Sequence, residues 1–284
     1  MKLNIKSALF LLLIPIVTDL RAQDFESVIY GKKQDAGERF RISSQSVKTE
    51  SIYEFTADGN GVTTGDGVLV ALYDYDPFGK LIEFVRYDPS SDSIIALKVI
   101  DYNNRGLVSR VSGLDFNRDY INNYIYDETG RKVRLNTLVK EGKNYILKEY
   151  VKYAYNGETD QVKEEIYADA GGKTILSITY SYGEDGSVIK NYGNGMREVK
   201  YFEPSGRISL MRTESDENGV VSEITYQYDE ENKLIRLSFA SLSYTYSIDY
   251  NYDKMGNLTE EFYSSSLYED ENESPKIYRH IYEK

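Results

Sequence analysis

The side chains that could do chemistry in this 284-residue chain are carboxylates, tyrosines and one histidine. The sequence has 46 Asp and Glu residues, 28 Tyr residues, no cysteine and one histidine, His280. The lack of cysteine excludes disulfides, thiolate metal sites and a cysteine nucleophile, and one imidazole is too few for a histidine-based metal cluster. The remaining chemistry is aromatic stacking, hydrogen bonding, oxygen-ligand metal binding and acid–base catalysis by carboxylates.

The tyrosines recur in one motif, Tyr-x-Tyr-(Asp)-x-x-Gly, followed by a basic or polar residue and an apolar residue. Its clearest copies begin at Tyr73, Tyr124 and Tyr250, and the copy at Tyr226 has Asn232 in place of the glycine. Aromatic rings can stack on sugar rings while Asp and Asn side chains in the turns bond to sugar hydroxyls, although such rings also pack strands. The second tyrosines of six copies are our predicted ligand-binding residues: Tyr75, Tyr126, Tyr155, Tyr182, Tyr228 and Tyr252.

A glycine-rich stretch carries the one candidate for metal binding. Asp58, Asn60 and Asp66 could offer oxygen ligands to a calcium ion. Their spacing differs from that of an EF-hand, which needs alternate acidic positions and a distal glutamate. We therefore favour an ordinary hairpin loop and predict no metal. The sequence contains no phosphate-binding loop or dinucleotide fingerprint, so we predict no cofactor.

The carboxylates and the histidine do not form a pattern typical of an active site. The aspartates recur at one turn position, where capping of the turn explains them, whereas a catalytic pair should be unique. His280 is the only possible imidazole base, and no Gly-x-Ser-x-Gly elbow accompanies it. We therefore predict no catalytic residue and keep a glycan-active hydrolase as the least favoured alternative.

The repeated motif predicts a β-hairpin. Tyr-x-Tyr is a period-two pattern that puts both rings on one face of a strand. The aspartate accepts backbone N–H bonds, and the glycine supplies a positive φ, as in a type I turn with a glycine bulge. About nine hairpins, recognisable from about residue 53 to 263, predict about eighteen sequential antiparallel strands. Helical periodicity is nearly absent after residue 23.

Hairpins in series predict one all-β domain over residues 23–284, because no linker divides the array. One hairpin is marginal in water, whereas neighbouring hairpins share a ladder and bury their rings together. We expect a repeat array of antiparallel hairpins that forms a curled or twisted single-layer sheet.

Residues 1–22 have the pattern of a secretory signal peptide. Lys2 and Lys6 precede a short apolar stretch over residues 8–17, and Ala22 suits cleavage. That stretch is too short to span a bilayer, and no long apolar run follows it, so we expect no transmembrane segment in the mature chain. The formal net charge of −12 argues against nucleic acid and anionic membrane surfaces as partners. We expect export to the periplasm, the cell surface or the medium.

The Tyr-x-Tyr hairpin units resemble the YD repeat, also called the Rhs repeat, of bacterial exported and surface proteins. The resemblance lies in residues 73–79, 124–131, 226–234 and 250–256. The chain is similar to the short secreted YD-repeat proteins of Bacteroidetes-type bacteria. The resemblance implies an exported repeat protein and, through some members, carbohydrate binding. In long members it implies a hollow shell around a toxin domain, but nothing resembling a toxin follows Tyr263 here.

The sequence therefore predicts an exported, non-enzymatic protein that presents a Tyr-rich β-sheet surface for binding. The expected partner is a carbohydrate or another component of the cell envelope. The alternative is a structural or assembly scaffold whose edge strands pair with a partner protein.

Overall fold

The computed structural model describes residues 36–58, 61–115, 118–266 and 274–284. The predicted signal peptide lies outside these residues. The helix and strands are α1 (Ala36–Ser44), β1 (Thr49–Ala57), β2 (Thr63–Tyr75), β3 (Leu81–Tyr87), β4 (Ile94–Tyr102), β5 (Val108–Asp115), β6 (Arg118–Tyr126), β7 (Lys132–Glu141), β8 (Asn144–Tyr155), β9 (Val162–Asp169), β10 (Thr174–Tyr182), β11 (Val188–Asn191), β12 (Met196–Phe202), β13 (Ile208–Ser215), β14 (Gly219–Tyr228), β15 (Leu234–Ser241), β16 (Thr245–Tyr252), β17 (Leu258–Ser265) and β18 (Lys276–Glu283).

The 18 strands form one closed antiparallel ring. Each strand pairs with the next one along the chain, and β18 returns to pair with β1. Thr49 on β1 lies opposite Glu283 on β18 and opposite Asp74 on β2. The predicted all-β hairpin array is confirmed. The predicted curled single-layer sheet is wrong, because the two ends of the array pair with each other and close a barrel.

Closure of the ring also removes the edge on which the scaffold alternative relied. Every described strand has a hydrogen-bonded neighbour on both sides. A partner strand would need an unpaired row of backbone groups to add to the sheet. Among the described strands, none offers such a row.

The predicted turn chemistry is present at the Asp-Gly turns. Oδ1 of Asp76 accepts hydrogen bonds from the backbone N–H groups of Phe78 (2.8 Å) and Lys80 (2.9 Å). Gly79 has a φ of 75°, a conformation that costs a residue with a Cβ atom more than it costs glycine. Asn232, which replaces the glycine in one copy, has a φ of 72°. We call the end of the barrel that carries these turns the turn end, and the opposite end the loop end.

The inward face of the barrel holds the apolar core. Ile52, Leu135 and Ile178 are at most 1 % exposed, and they belong to a cluster that extends from α1 and β1 to β10. Leu237 and Ile248 lie in a second, smaller cluster on β15, β16 and β17. The alternation of inward and outward side chains that positions these residues is the period-two pattern expected of strands.

The outward face carries ion pairs between residues directly opposite each other on neighbouring strands. These pairs are Arg197–Glu214 (2.7 Å), Arg212–Glu223 (2.7 Å), Arg236–Asp249 (2.9 Å) and Arg279–Glu260 (3.1 Å). Exposed pairs of this kind stabilise a fold only slightly, but interspersed charges of both signs are typical of a surface that faces water.

Helix α1, which the sequence analysis did not predict, packs across the turn end. Ile42 is fully buried in the core, and the Ser43 hydroxyl donates a hydrogen bond to the Pro77 carbonyl (3.0 Å). The side-chain amide of Gln45, just after the helix, donates to the Met255 carbonyl (3.4 Å). The helix has 9 residues, too few for clear periodicity, and tertiary packing rather than propensity stabilises such a helix. Within the described residues, no helix has the length and apolar character needed to cross a membrane.

Candidate functional site

The six tyrosines predicted to bind a ligand all lie at the turn end, where each is the last residue of its strand. They are Tyr75 on β2, Tyr126 on β6, Tyr155 on β8, Tyr182 on β10, Tyr228 on β14 and Tyr252 on β16. The barrel therefore places them around one rim. Tyr75 is 6 % exposed, and the other five are half-buried.

The hydroxyls of five of these tyrosines, all except Tyr75, join neighbouring hairpins. The Tyr126 hydroxyl donates to the Val108 carbonyl (2.7 Å), and the Tyr252 hydroxyl donates to the Leu234 carbonyl (2.9 Å). Equivalent bonds run from Tyr102, Tyr155, Tyr182, Tyr228 and Tyr282 to the carbonyls of Leu81, Lys132, Val162, Ile208 and Leu258. These bonds give the tyrosine hydroxyl a role that phenylalanine could not fill. Ligand binding by these residues stays a prediction.

The basic residue of the motif covers the ring of the next repeat's tyrosine. The Arg131 guanidinium lies 5.0 Å from the ring centroid of Tyr155, and the Lys233 ammonium lies 5.7 Å from that of Tyr252. Lys80 over Tyr102 (4.8 Å) and Arg207 over Tyr228 (4.3 Å) have the same arrangement. Such a cation is attracted by the negative face of the ring. The position after the turn glycine, or after Asn232 in one copy, is basic in these four copies. The basic residue is therefore visible in the sequence, but its role depends on which ring lies beside it.

A second set of aromatic residues lies at the loop end. The rings of Phe239 and Tyr246 stack with centroids 4.9 Å apart and an interplanar angle of 14°. Tyr244 extends the set, with its centroid 5.2 Å from Phe239 and 6.4 Å from Tyr246. We call these three residues the aromatic stack. These residues were not among the predicted ligand-binding tyrosines because Tyr244 and Tyr246, although spaced as Tyr-x-Tyr, follow a turn instead of preceding one.

The aromatic stack combines apolar ring faces with hydroxyl groups. Phe239 is buried, whereas Tyr244 and Tyr246 are half-buried. Burial raises the pKa of Tyr246 to about 12 and raises that of Tyr244, so both phenols stay neutral hydrogen-bond donors at physiological pH. The Ser241 hydroxyl, 3.3 Å from the Tyr244 backbone nitrogen, adds a further polar group. Ring faces beside neutral hydroxyls suit a ligand that is both apolar and rich in hydroxyl groups.

The single histidine lies between two glutamates inside the barrel. Nδ1 of His280 is 2.7 Å from Oε1 of Glu50, and Nε2 is 3.0 Å from Oε1 of Glu261. All three side chains are 0 % exposed. A catalytic base must reach the proton that it removes from a substrate. His280 is not placed to do so in this structure.

The calcium candidate is only partly described. Asn60 lies outside the described residues. Oδ1 of Asp58 accepts a hydrogen bond from the Val62 backbone N–H (2.9 Å), as a turn-capping aspartate does. Asp66 lies within β2 instead of in a loop. Among the described residues, no group of three or more His, Asp or Glu side chains is placed to hold a metal ion. That these residues bind no metal stays a prediction.

Comparisons with known proteins give only distant similarities. No family model matches the chain, and no curated protein matches it. Among solved structures, a porin-like protein from Bacteroides uniformis ATCC 8492 is similar, with a TM-score of 0.43, 9 % identity, and coverage of 84 % of this chain and 98 % of that chain. A porin-like protein from Bacteroides vulgatus ATCC 8482 is similar with a TM-score of 0.35 and 12 % identity, and the match covers 84 % of this chain and 98 % of that chain.

A third solved structure, TcdB2-TccC3, has a TM-score of 0.33 and 16 % identity, over 76 % of this chain. The chain spans only 13 % of that structure. None of the three TM-scores reaches 0.5, so none of them carries a functional conclusion. Because no family model matches, the resemblance of the motif to YD repeats stays a prediction.

Proposed function

We propose that this protein is an exported, non-enzymatic barrel that binds carbohydrate through the aromatic stack at its loop end. The observation that supports the proposal is the stacking of Phe239, Tyr244 and Tyr246, whose two tyrosines remain half-buried. A pyranose ring has apolar C–H faces and equatorial hydroxyls, so it complements ring faces beside neutral phenols. A glycan of the cell envelope is the partner class that fits this chemistry and an exported protein.

The non-enzymatic part of the proposal rests on where the ionisable groups lie. The only histidine has both ring nitrogens within hydrogen-bond distance of buried carboxylates. The turn aspartates, such as Asp76, are occupied by backbone N–H groups of their own turns. A glycosidase needs two carboxyl groups on opposite sides of an accessible bond. A glycan-active hydrolase therefore remains the least favoured alternative.

A scaffold role is the second candidate, and a different surface favours it. Phe40 on α1, Phe78 in the β2–β3 turn and Met255 in the β16–β17 turn are 75 %, 76 % and 57 % exposed. The contacts of Ser43 and Gln45 place α1 against both turns. Large exposed apolar side chains on one end of a protein can form a contact with a partner protein. In that case the partner would bind the turn end and not an edge strand.

A glycan array on purified residues 23–284, with and without calcium, tests the proposed function. We expect saturable binding that Tyr244→Ala and Tyr246→Ala each weaken by about twofold to tenfold, because loss of one stacking surface removes about 0.5–1.5 kcal/mol. Tyr145→Ala is the matched control. Tyr145 is 41 % exposed in a different hairpin at the same end of the barrel, and its loss should leave binding unchanged.

The glycan-array experiment also distinguishes the aromatic stack from the other candidate sites and from the scaffold role. Binding that Tyr126→Ala abolishes, but Tyr244→Ala does not, would move the site to the turn-end tyrosines. Binding that depends on calcium would point to Asp58 and Asp66. A folded protein that binds no glycan would contradict the carbohydrate proposal and favour the scaffold role, which capture of a partner dependent on Phe40 and Phe78 would then test.

A further inference from the structure

The barrel closes where β1 meets β18, and we call this junction the seam. His280 on β18 lies directly opposite Ile52 on β1, and it contacts Glu50 on the same strand. It also contacts Glu261 on β17. The cluster of Glu50, His280 and Glu261 therefore ties the first strand of the barrel to the last two strands. In six other repeats the equivalent position, two residues before the last residue of the strand, is a tyrosine such as Tyr250.

The geometry of the cluster fixes its number of protons. A carboxylate oxygen can only accept a hydrogen bond, so each of the contacts at 2.7 and 3.0 Å needs a proton between nitrogen and oxygen. The simplest arrangement is an imidazolium between two carboxylates, with one net negative charge. The other oxygens of the two glutamates accept hydrogen bonds from the Tyr75 hydroxyl (2.8 Å) and the Tyr263 hydroxyl (3.0 Å).

Two phenols beside the cluster, those of Tyr263 and Tyr250, stay protonated at neutral pH. Tyr263 on β17 and Tyr250 on β16 face Glu261, and burial, followed by the charge of Glu261, raises the pKa of both phenols well above the ordinary value. Tyr278 on β18 packs edge-on against Tyr263 and donates a hydrogen bond to Glu54 (2.7 Å). Lys276 on β18 pairs with the same glutamate at 2.9 Å.

We propose that Glu50, His280 and Glu261 form a proton-dependent latch that holds the seam closed. Loss of one shared proton would leave a nitrogen lone pair facing a buried carboxylate, an arrangement that buried charges tolerate poorly. A histidine in an open chain releases its proton near pH 6.5. Above about that pH, closing the seam takes up one proton, and the equilibrium constant for closure falls about tenfold for each further pH unit.

The sign of this dependence follows from which state holds the proton. The closed seam keeps a proton that the open seam gives up, so the contribution of the latch is complete below about pH 6.5 and decreases as the pH rises.

Nitrogen NMR of the mature chain labelled with ¹⁵N-histidine tests the latch without any substitution, because His280 is the only histidine. We expect the two ring nitrogens to show the shifts of a protonated ring at about pH 8, where a free histidine is neutral. A neutral tautomer at about pH 7.5, or titration at the ordinary value, would overturn the proposal.

Hydrogen exchange tests the link to the seam. Between about pH 6 and 8.5, after correction for the intrinsic exchange rate, we expect protection to fall in β1 and β18 more than in β5 and β6, which lie far along the ring. Glu261→Gln should abolish this difference. Glu260→Gln is the matched control, since Glu260 is the neighbouring residue that faces outward and pairs with Arg279 at 3.1 Å. An equal response of all strands would contradict the latch. If Glu261→Gln does not fold, the NMR titration decides.

Discussion

The Arg41 guanidinium on α1 lies 5.5 Å from the ring centroid of Tyr282 on β18. Tyr282 is the rim tyrosine of the last strand, and its hydroxyl donates to the Leu258 carbonyl as in the other repeats. In the preceding repeat the position after the glycine is Asn257, which is not basic, and Arg41 donates a hydrogen bond to the Oδ1 atom of this asparagine. The helix thus supplies the cation that the repeat lacks at the point where the ring closes.

The guanidinium of Arg41 should stabilise the closed barrel. Arg41→Ala should lower the free energy of unfolding by about 1–3 kcal/mol, because it removes a cation–π contact and a hydrogen bond from a charged donor. Chemical denaturation of the mature chain gives the value. Arg41→Lys should recover part of the loss. Arg39→Ala on the same helix is the control, and a loss as large as that of Arg41→Ala would contradict the specific role of Arg41.

A pair of glycine substitutions separates backbone strain from the seating of α1. Gly79 and Gly206 both have a positive φ, of 75° and 84°. A Cβ atom at Gly79 would lie 2.1 Å from the Arg39 carbonyl oxygen, whereas one at Gly206 would meet nothing within 4 Å. Gly206→Ala should cost about 1–2 kcal/mol of stability from strain alone. We expect Gly79→Ala to lower the free energy of unfolding measurably more than Gly206→Ala, as measured by thermal or chemical unfolding. Equal losses would show that α1 moves away from the new Cβ atom at little energetic cost.

The rim hydroxyls should each contribute to stability. Tyr126→Phe removes the bond to the Val108 carbonyl and keeps the ring, so we expect a loss of about 0.5–1.5 kcal/mol in the free energy of unfolding. Tyr145→Phe, at an exposed position, should change it by less than about 0.5 kcal/mol. If the two substitutions have the same effect in urea unfolding, the inter-hairpin hydrogen bonds do not stabilise the array.

The turn aspartates should make the stability of the fold depend on pH in the acidic range. Hydrogen bonds from the Thr129 hydroxyl and from Arg131 hold the pKa of Asp127 well below its ordinary range. A carboxyl whose pKa is lower in the folded protein than in the unfolded chain stabilises the fold at pH values above its unfolded-chain pKa, near 4. This stabilisation is lost as the pH falls from there through the pKa of the folded protein. Asp127→Asn should therefore lower the melting temperature at about pH 7, and the difference from the wild type should shrink below about pH 4. Glu128→Gln, a change to the next residue, should show no such trend.

The Tyr246 phenol of the aromatic stack should ionise at a higher pH than a free tyrosine. Burial raises the pKa of Tyr246 to about 12, so the native state keeps a proton that the unfolded chain gives up near pH 10. Stability should consequently fall as the pH rises from about 10 to 12. Ultraviolet titration should show one late-ionising phenol fewer in Tyr246→Phe than in the wild type. Ionisation of all tyrosines near pH 10 in the folded protein would contradict the burial of this ring.

The hairpins and their turns could be predicted from the sequence because their information is local. Asp76 and Gly79 act within one turn, and the tyrosine that ends β2 precedes that turn directly. The role of the hydroxyls of the rim tyrosines could not be predicted in the same way. The carbonyl that accepts the Tyr126 bond belongs to Val108, which lies in the preceding hairpin, and the register between hairpins is needed to identify it.

The amino-acid sequence by itself determined the period-two strands, the Asp-Gly turns and their antiparallel order, since each depends on residues a few positions apart. Only the tertiary structure decided that the array closes. Closure pairs Thr49 with Glu283 and brings Glu50 to His280, and no local pattern encodes contacts between the two ends of a chain. The same holds for α1, whose nine residues become a helix because Ile42 is buried and Arg41 meets a ring from the last strand. The physical reason is that sheet curvature and strand number jointly determine whether the last strand meets the first.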